Sequence, residues 1–210
     1  MIKLGVIGYG GRAQGMLGDI ERLNARAEVV AITDVRNDEI KKQMESAGKD
    51  VSKVAFYTDA DEMMDKTQLD GVLIGTRCSL HAQMAIKVLQ RNLPLFLEKP
   101  IATNMADLLA LKAAAEKTSS DVVVSFPLRV TPLVQLAKEI IDSGKIGTVE
   151  HVQAWNNVSY GACYYQTWYR DENETQGLFL QKATHDFDYI NYLLGTRPKW
   201  VSAMTAKRVY

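Results

Sequence analysis

The chain has 210 residues, 47% of them apolar, enough to bury a core in one large domain or two modest ones. Lysine plus arginine and aspartate plus glutamate number 25 each, so charge gives no reason to expect a nucleic-acid or anionic-membrane partner. No apolar run reaches membrane-spanning length, and the opening MIKLGVIGYGG is too short in its apolar part and too glycine-rich for a secretory signal. Cys78 and Cys163 lie far apart without metal-ligand spacing, which predicts free thiols in a cytoplasmic protein and no metal site.

In chain order, IKLGVIG (2–8) is a short apolar run ending in glycine, as a buried parallel strand would be. A helix is predicted over 12–24, a strand over 27–34 and a helix over 38–48. Strands over 53–59, 70–76 and 93–100 then alternate with helices near 60–67 and 80–91. A helix over 104–119, capped by Asn104, and a strand over 121–126 complete the alternation. Such alternation predicts an α/β fold, a doubly wound parallel sheet of the Rossmann type with helices on both faces.

The pattern changes after residue 126. A proline-flanked helix (131–147) leads into a predicted strand over 148–160, polar on both faces, and then an aromatic loop over 159–177. From Asp186, the residues Phe187, Ile190, Leu193 and Leu194 recur at helical spacing until Gly195 stops the helix. A last strand is predicted over 199–210. The division expected is 1–125 and 126–210, the second part an incomplete α+β domain with an open, mostly antiparallel sheet.

The stretch Gly8-Tyr9-Gly10-Gly11-Arg12-Ala13 is a dinucleotide fingerprint: a glycine for the turn, one for approach of a pyrophosphate, and a small residue that keeps helix and strand close. It follows a strand, opens a helix, and has Asp34 at the end of the next strand, about 20 residues on. Asp34 suits the ribose hydroxyls and favours NAD, whereas Arg36 leaves NADP open as the alternative. Thr76 ends another predicted strand. Glu98 and Lys99 end the strand before Pro100, at the sheet edge where α/β folds bind ligands.

GVIGYGGRA, GTRCSLHAQMAIKVLQRNLPLFLEKPIATN, IIDSGKIGTV and the His-Asp-Phe-Asp helix occur in an order and spacing that resembles the Gfo/Idh/MocA oxidoreductases. The resemblance implies a nucleotide-binding domain followed by an α/β domain that lines the substrate site. It also implies action on sugars, cyclitols or related polyols, and a homodimer or homotetramer formed through the C-terminal sheet. Members run well past this length, so a chain that stops partway into the second domain is expected.

The resemblance makes Lys99 the active-site lysine and His185 the histidine of the second catalytic motif; it puts His81 near the nicotinamide, and a structural role at a helix start is the alternative. Where members often carry an aspartate, Gln181 stands, and it cannot titrate. Oxidation of an alcohol needs a base at the oxygen and positive charge beside it, and His185 and Lys99 suit these tasks. Gln181, Lys182, Arg129, Trp168 and Tyr165 are expected to bind substrate; the alternatives are burial of the aromatic rings against the rest of the fold or a second subunit, and an Arg129 that only braces the interdomain turn. Alternatives are an NAD-dependent glycosidase working through transient oxidation, and a nucleotide-sensing relative without catalysis. A cis Lys99–Pro100 bond is expected as a way to aim the lysine.

Overall fold

The computed structural model describes residues 1–158 and 162–206. Six strands, β1 (Ile2–Ile7), β2 (Ala27–Thr33), β3 (Ala55–Tyr57), β4 (Gly71–Ile74), β5 (Leu95–Leu97) and β6 (Val122–Val124), form one parallel sheet ordered β3-β2-β1-β4-β5-β6. The order reverses between β1 and β4, paired from Leu4 with Gly71 to Ile7 with Ile74, and this opens a crevice at their carboxyl ends.

Helices cover both faces, as the buried strands require. Because strand side chains alternate, Val6, Ile32 and Leu73 face α1 (Gly11–Arg22) and α2 (Asn37–Ser46), packing with Ala13, Leu17, Ile40 and Met44. Ile7, Ala31, Val72 and Ile74 face the other way, toward α3 (Ala60–Lys66), α4 (His81–Leu89) and α5 (Met105–Ala115). Each fully buried aliphatic side chain contributes roughly 1.5–3 kcal/mol, and among the described residues every buried apolar one lies between Val6 and Leu111. The caps are local: Asp59 accepts from Glu62 N and starts α3, and Asn104 accepts from Asp107 N at 2.9 Å and starts α5.

The chain divides into two compact units, Met1–Ser125 with Tyr160–Gln181, and Phe126–Ser159 with Lys182–Tyr210. The first therefore includes, beside the sheet, the short helices α7 (Ala162–Gln166) and α8 (Glu172–Thr175) from the aromatic stretch expected to be a loop. In the second, α6 (Pro132–Asp142) packs against α9 (Thr184–Leu194), which ends at Gly195 with φ +64°.

The second unit corrects part of the sequence reading. Residues 148–158 and 199–206 adopt no strand, and among the described residues no antiparallel sheet is present. Ser159, Tyr160 and residues 207–210 of those two expected strands lie outside the described residues. A strand exists by hydrogen-bonding to a neighbour, and neither segment has one. Trp155 and Trp200 are accordingly 79% and 85% exposed. No helix among the described residues is long and apolar enough to cross a membrane.

Candidate active site

The glycine turn sits at the carboxyl end of β1, beside the crevice. Gly8 has φ +85°, and a Cβ there would lie 2.7 Å from Thr76 N and 2.8 Å from Thr76 Cα, so the turn and Thr76 meet backbone to backbone. A Cβ on Gly75 would come within 3.1 Å of the Ala13 Cβ; these two small residues let α1 lie close on β4. The first bond of α1 runs from Gln14 N to Gly10 O at 3.0 Å, which leaves the amides of residues 11–13 directed out of the helix end. Space for a ligand lies in front of them: a Cβ on Gly10 finds nothing nearer than Gly75 O at 3.7 Å, and one on Gly11 nothing within 4 Å. A pyrophosphate fits that cradle, held by backbone amides and the positive helix end. Tyr9 is only 5% exposed and packs with Ala13 and Leu17; its N donates to Asp34 Oδ2 and its O accepts from Gln14 Nε2.

Asp34 follows β2 and reaches back to the turn, accepting from Tyr9 N at 2.9 Å. Burial raises its pKa, but the Arg36 side chain and the Arg36 and Tyr9 backbone amides outweigh that and hold it below the usual carboxylate value. Across the crevice, Arg12 Nε pairs with Glu98 Oε1 at 2.8 Å, and its Nη2 donates to Ser125 Oγ at 3.3 Å. Glu98 is 6% exposed, so the ion pair links the glycine turn to the ends of β5 and β6.

Lys99, half-buried at the end of β5, donates from Nζ to the Gln181 carbonyl at 2.6 Å, and the Lys99–Pro100 bond is cis. That carbonyl belongs to a π-helical turn, Phe179–Ala183, a distortion of the kind often found at functional sites. The Gln181 side chain is 7% exposed, and its Oε1 has no hydrogen-bond partner among the described residues.

His81, expected either near the nicotinamide or in a structural role at a helix start, is buried between two loops. Its ring is 2% exposed; Nδ1 meets Pro100 O at 2.7 Å and Nε2 meets Thr76 O at 3.2 Å, so it braces the loops after β4 and β5. Burial pushes its pKa below the ordinary value, outweighing the two carbonyls that raise it. The unfolded chain therefore binds this proton at higher pH than the folded one. The resulting stability is complete above about pH 6.5 and is lost as pH falls through the lower folded value. His81→Gln is expected to flatten the fall in Tm between about pH 7.5 and 5; equal slopes in both proteins would rule the ring out as its source.

The stretch 162–181 carries contacts that sequence reasoning missed. Glu174 accepts from Ser79 Oγ and lies 3.8 Å from Arg77 Nε, and the Arg77 guanidinium covers the Trp168 ring at 5.1 Å. Trp168 stacks on Tyr169 at 3.9 Å, and Tyr165 is half-buried in α7. Arg77, Ser79 and Lys99 thus hold this stretch against the loops after β4 and β5. Charge complementarity between Arg77 and the acidic run 171–174 was the available signal, but sequence does not say which acid pairs. Cys78, in the same loop, is buried, which pushes its thiol up to about 11 and makes it a packing residue.

In the second unit, His185 is the second residue of α9, its ring edge-on to Phe126 with centroids 5.9 Å apart. Lys182 is half-buried in the π turn. Arg129 is bound through Nε and Nη2 to Asp188 and lies near the rings of Phe126 and Tyr192. Lys99 and Gln181 belong to the first unit, His185, Lys182 and Arg129 to the second.

A parallel sheet in this order, a glycine turn under a helix end and a carboxylate closing β2 together define a dinucleotide-binding Rossmann domain. Residues 2–126 match the model of the Gfo/Idh/MocA oxidoreductase family, NAD-binding Rossmann fold, and residues 134–210 match the Gfo/Idh/MocA C-terminal domain. The chain belongs to the Gfo/Idh/MocA family of oxidoreductases.

It is 37% identical to YteT of Bacillus subtilis (strain 168) over 158 residues, covering 74% of this chain and 37% of that protein. It is 26% identical to the myo-inositol 2-dehydrogenase of Thermotoga maritima over 208 residues, covering 96% of this chain and 58% of that one. Among solved structures, the WlbA dehydrogenase of Bordetella pertussis, in complex with NADH and UDP-GlcNAcA, shares the fold. Its TM-score is 0.80 at 24% identity, covering 92% of this chain and 57% of that one. The chain thus spans well under two thirds of the relatives it matches.

Proposed function

We propose that the whole protein is an NAD-dependent oxidoreductase that transfers a hydride between nicotinamide and a carbinol carbon of a sugar, cyclitol or related polyol. The observation that carries this reading is Lys99, a half-buried ammonium on the sheet edge that also holds the glycine turn, anchored at 2.6 Å on the Gln181 carbonyl. In this reading residues 1–125 bind the nucleotide, and 126–210 contribute to the substrate domain and to a homodimer or homotetramer.

Bound NAD supplies the hydride acceptor for alcohol oxidation. His185 takes the hydroxyl proton, and Lys99 stabilises the negative charge that grows on the oxygen. Gln181 is neutral and buried, so its role is to orient a hydroxyl through the Oε1 that meets no donor among the described residues, and it moves no proton. Lys182, Arg129, Trp168 and Tyr165 complete substrate binding, Arg129 from its pair with Asp188 and Trp168 from beneath Arg77. Thr76 and Glu98 frame the nucleotide site through the Gly8 contact and the Arg12 pair.

The test is a titration of the full-length protein with NAD, followed by a cyclitol and sugar panel read at the absorbance of reduced nicotinamide. Steady NADH production is expected. Aryl-glycoside cleavage without net NADH would replace this reading by the NAD-dependent glycosidase. Nucleotide binding with no turnover across the panel would replace it by a sensor.

A further inference from the structure

Asp34, the residue expected to receive the adenosine ribose, already has a full set of donors. Its Oδ1 accepts from Arg36 N at 3.0 Å and Arg36 Nε at 3.1 Å; its Oδ2 accepts from Tyr9 N at 2.9 Å and Arg36 Nη2 at 3.1 Å. A carboxylate offers about four lone-pair positions, so none is left over. Two of the donors are backbone amides fixed by the turn. The other two belong to the Arg36 guanidinium, whose side chain is 49% exposed over a carboxylate that is 6% exposed. Ribose hydroxyls that donate to Asp34 must therefore displace the Arg36 fork.

We propose that Arg36 determines selectivity at the cofactor's 2′ position: it stays on Asp34, neutralises it, and presents its outward N–H groups to a 2′-phosphate, so that the site takes NADP as well as NAD. A bare carboxylate would repel that phosphate. Here the repulsion is cancelled in place, and a guanidinium has five N–H donors, of which Asp34 engages two. Bidentate guanidinium–phosphate pairing is strong because both partners are charged and their geometries match. Between the two residues, Val35 is uncharged and 89% exposed, so it does not close the approach. Asp38 and Glu39, in the first turn of α2, oppose an anion; they limit the effect to acceptance of NADP beside NAD, not preference for it.

This inference rests on the reading of the glycine turn as a nicotinamide-dinucleotide site, and the experiment separates the two. The Kd values of NADH and NADPH are measured by calorimetric titration of the full chain, for the wild type and Arg36→Ala. In the wild type the two are expected to agree within about tenfold. Arg36→Ala is expected to weaken NADPH by at least about tenfold and to leave NADH unchanged or tighter, because Asp34 regains two free positions. Arg36→Gln, which keeps a donor for Asp34 and removes the charge, gives the same ordering should the alanine variant fold poorly. Added salt should weaken NADPH more than NADH in the wild type, and equally in either variant. The proposal is overturned if the variants weaken both nucleotides alike, or if the wild type binds NADH but rejects NADPH by more than about a hundredfold. Wild-type protein that binds neither nucleotide would instead remove the dinucleotide reading itself.

Discussion

Lys99→Ala is expected to lower kcat/KM for the proposed polyol substrate by about 10²–10³-fold, the usual loss when one donor to a developing oxyanion is removed. The ammonium stands at the end of β5 and donates to the Gln181 carbonyl at 2.6 Å, so its position is set before any substrate arrives. Preorganised charge of this kind is worth most where water is partly excluded, and Lys99 is half-buried. The same substitution frees the Gln181 carbonyl and loosens the π turn, so a structural loss must be told apart from an electrostatic one. Lys99→Arg keeps the charge and a donor to Gln181. If the role is charge at the oxygen, it should recover part of kcat; if the role is only to hold the turn, it should recover Tm and not kcat. Affinity for NADH, measured separately, distinguishes a loss at the proposed substrate oxygen, which leaves it little changed, from a loss of the nucleotide site, which lowers it. An alanine variant with undiminished kcat/KM would end the assignment.

His185→Ala is expected to cost about 10²–10⁴-fold in kcat/KM, the range for loss of a positioned general base. The ring is held edge-on against Phe126 and carried by the first turn of α9. Both contacts fix its direction without involving substrate. The rise of kcat/KM with pH that a histidine base imposes should vanish in the variant, and added imidazole should restore part of the rate. An acid limb that persists unchanged after the substitution would assign proton transfer elsewhere. The double variant lacking both Lys99 and His185 adds a further check. Groups that serve one substrate oxygen act as a unit, so the combined loss should fall well short of the product of the single losses. Losses that simply multiply would indicate independent roles.

Where the sequence reading held, the determinants were local. The alternation of apolar runs with amphipathic stretches located all six strands of the sheet; the reason is plainest for β4 and β5, whose buried strands need an uninterrupted apolar run. Gly8 was legible as the turn residue since a side chain is strained at its φ of +85°, and Gly195 as a helix end for the same reason at φ +64°; Asn104 was legible as a helix start because its side chain can cap the Asp107 amide. It failed where a pattern needed a distant partner. Residues 148–158 alternate as a strand should, yet pairing and not alternation makes a strand, and none is formed there. The π turn at 179–183 was equally hidden, since the extra residue it accommodates leaves no mark in apolar spacing.

The chain sequence alone determined the dinucleotide fold and singled out Gly8, Gly10, Asp34, Lys99 and His185 as candidates for its chemistry. Helix starts, turns and buried strands follow from a few neighbouring residues, and they carry the fold with them. Only the tertiary structure decided what those residues do with one another. His81 became a buried brace between Pro100 and Thr76, Arg12 joined Glu98 from 86 positions away, Glu174 joined Ser79 from 95 away, and Arg36 filled the carboxylate kept for the ribose. The physical reason is that a hydrogen bond is satisfied by whichever donor the packed loops deliver within about 3 Å, and the loops that meet at a sheet edge come from remote parts of the chain.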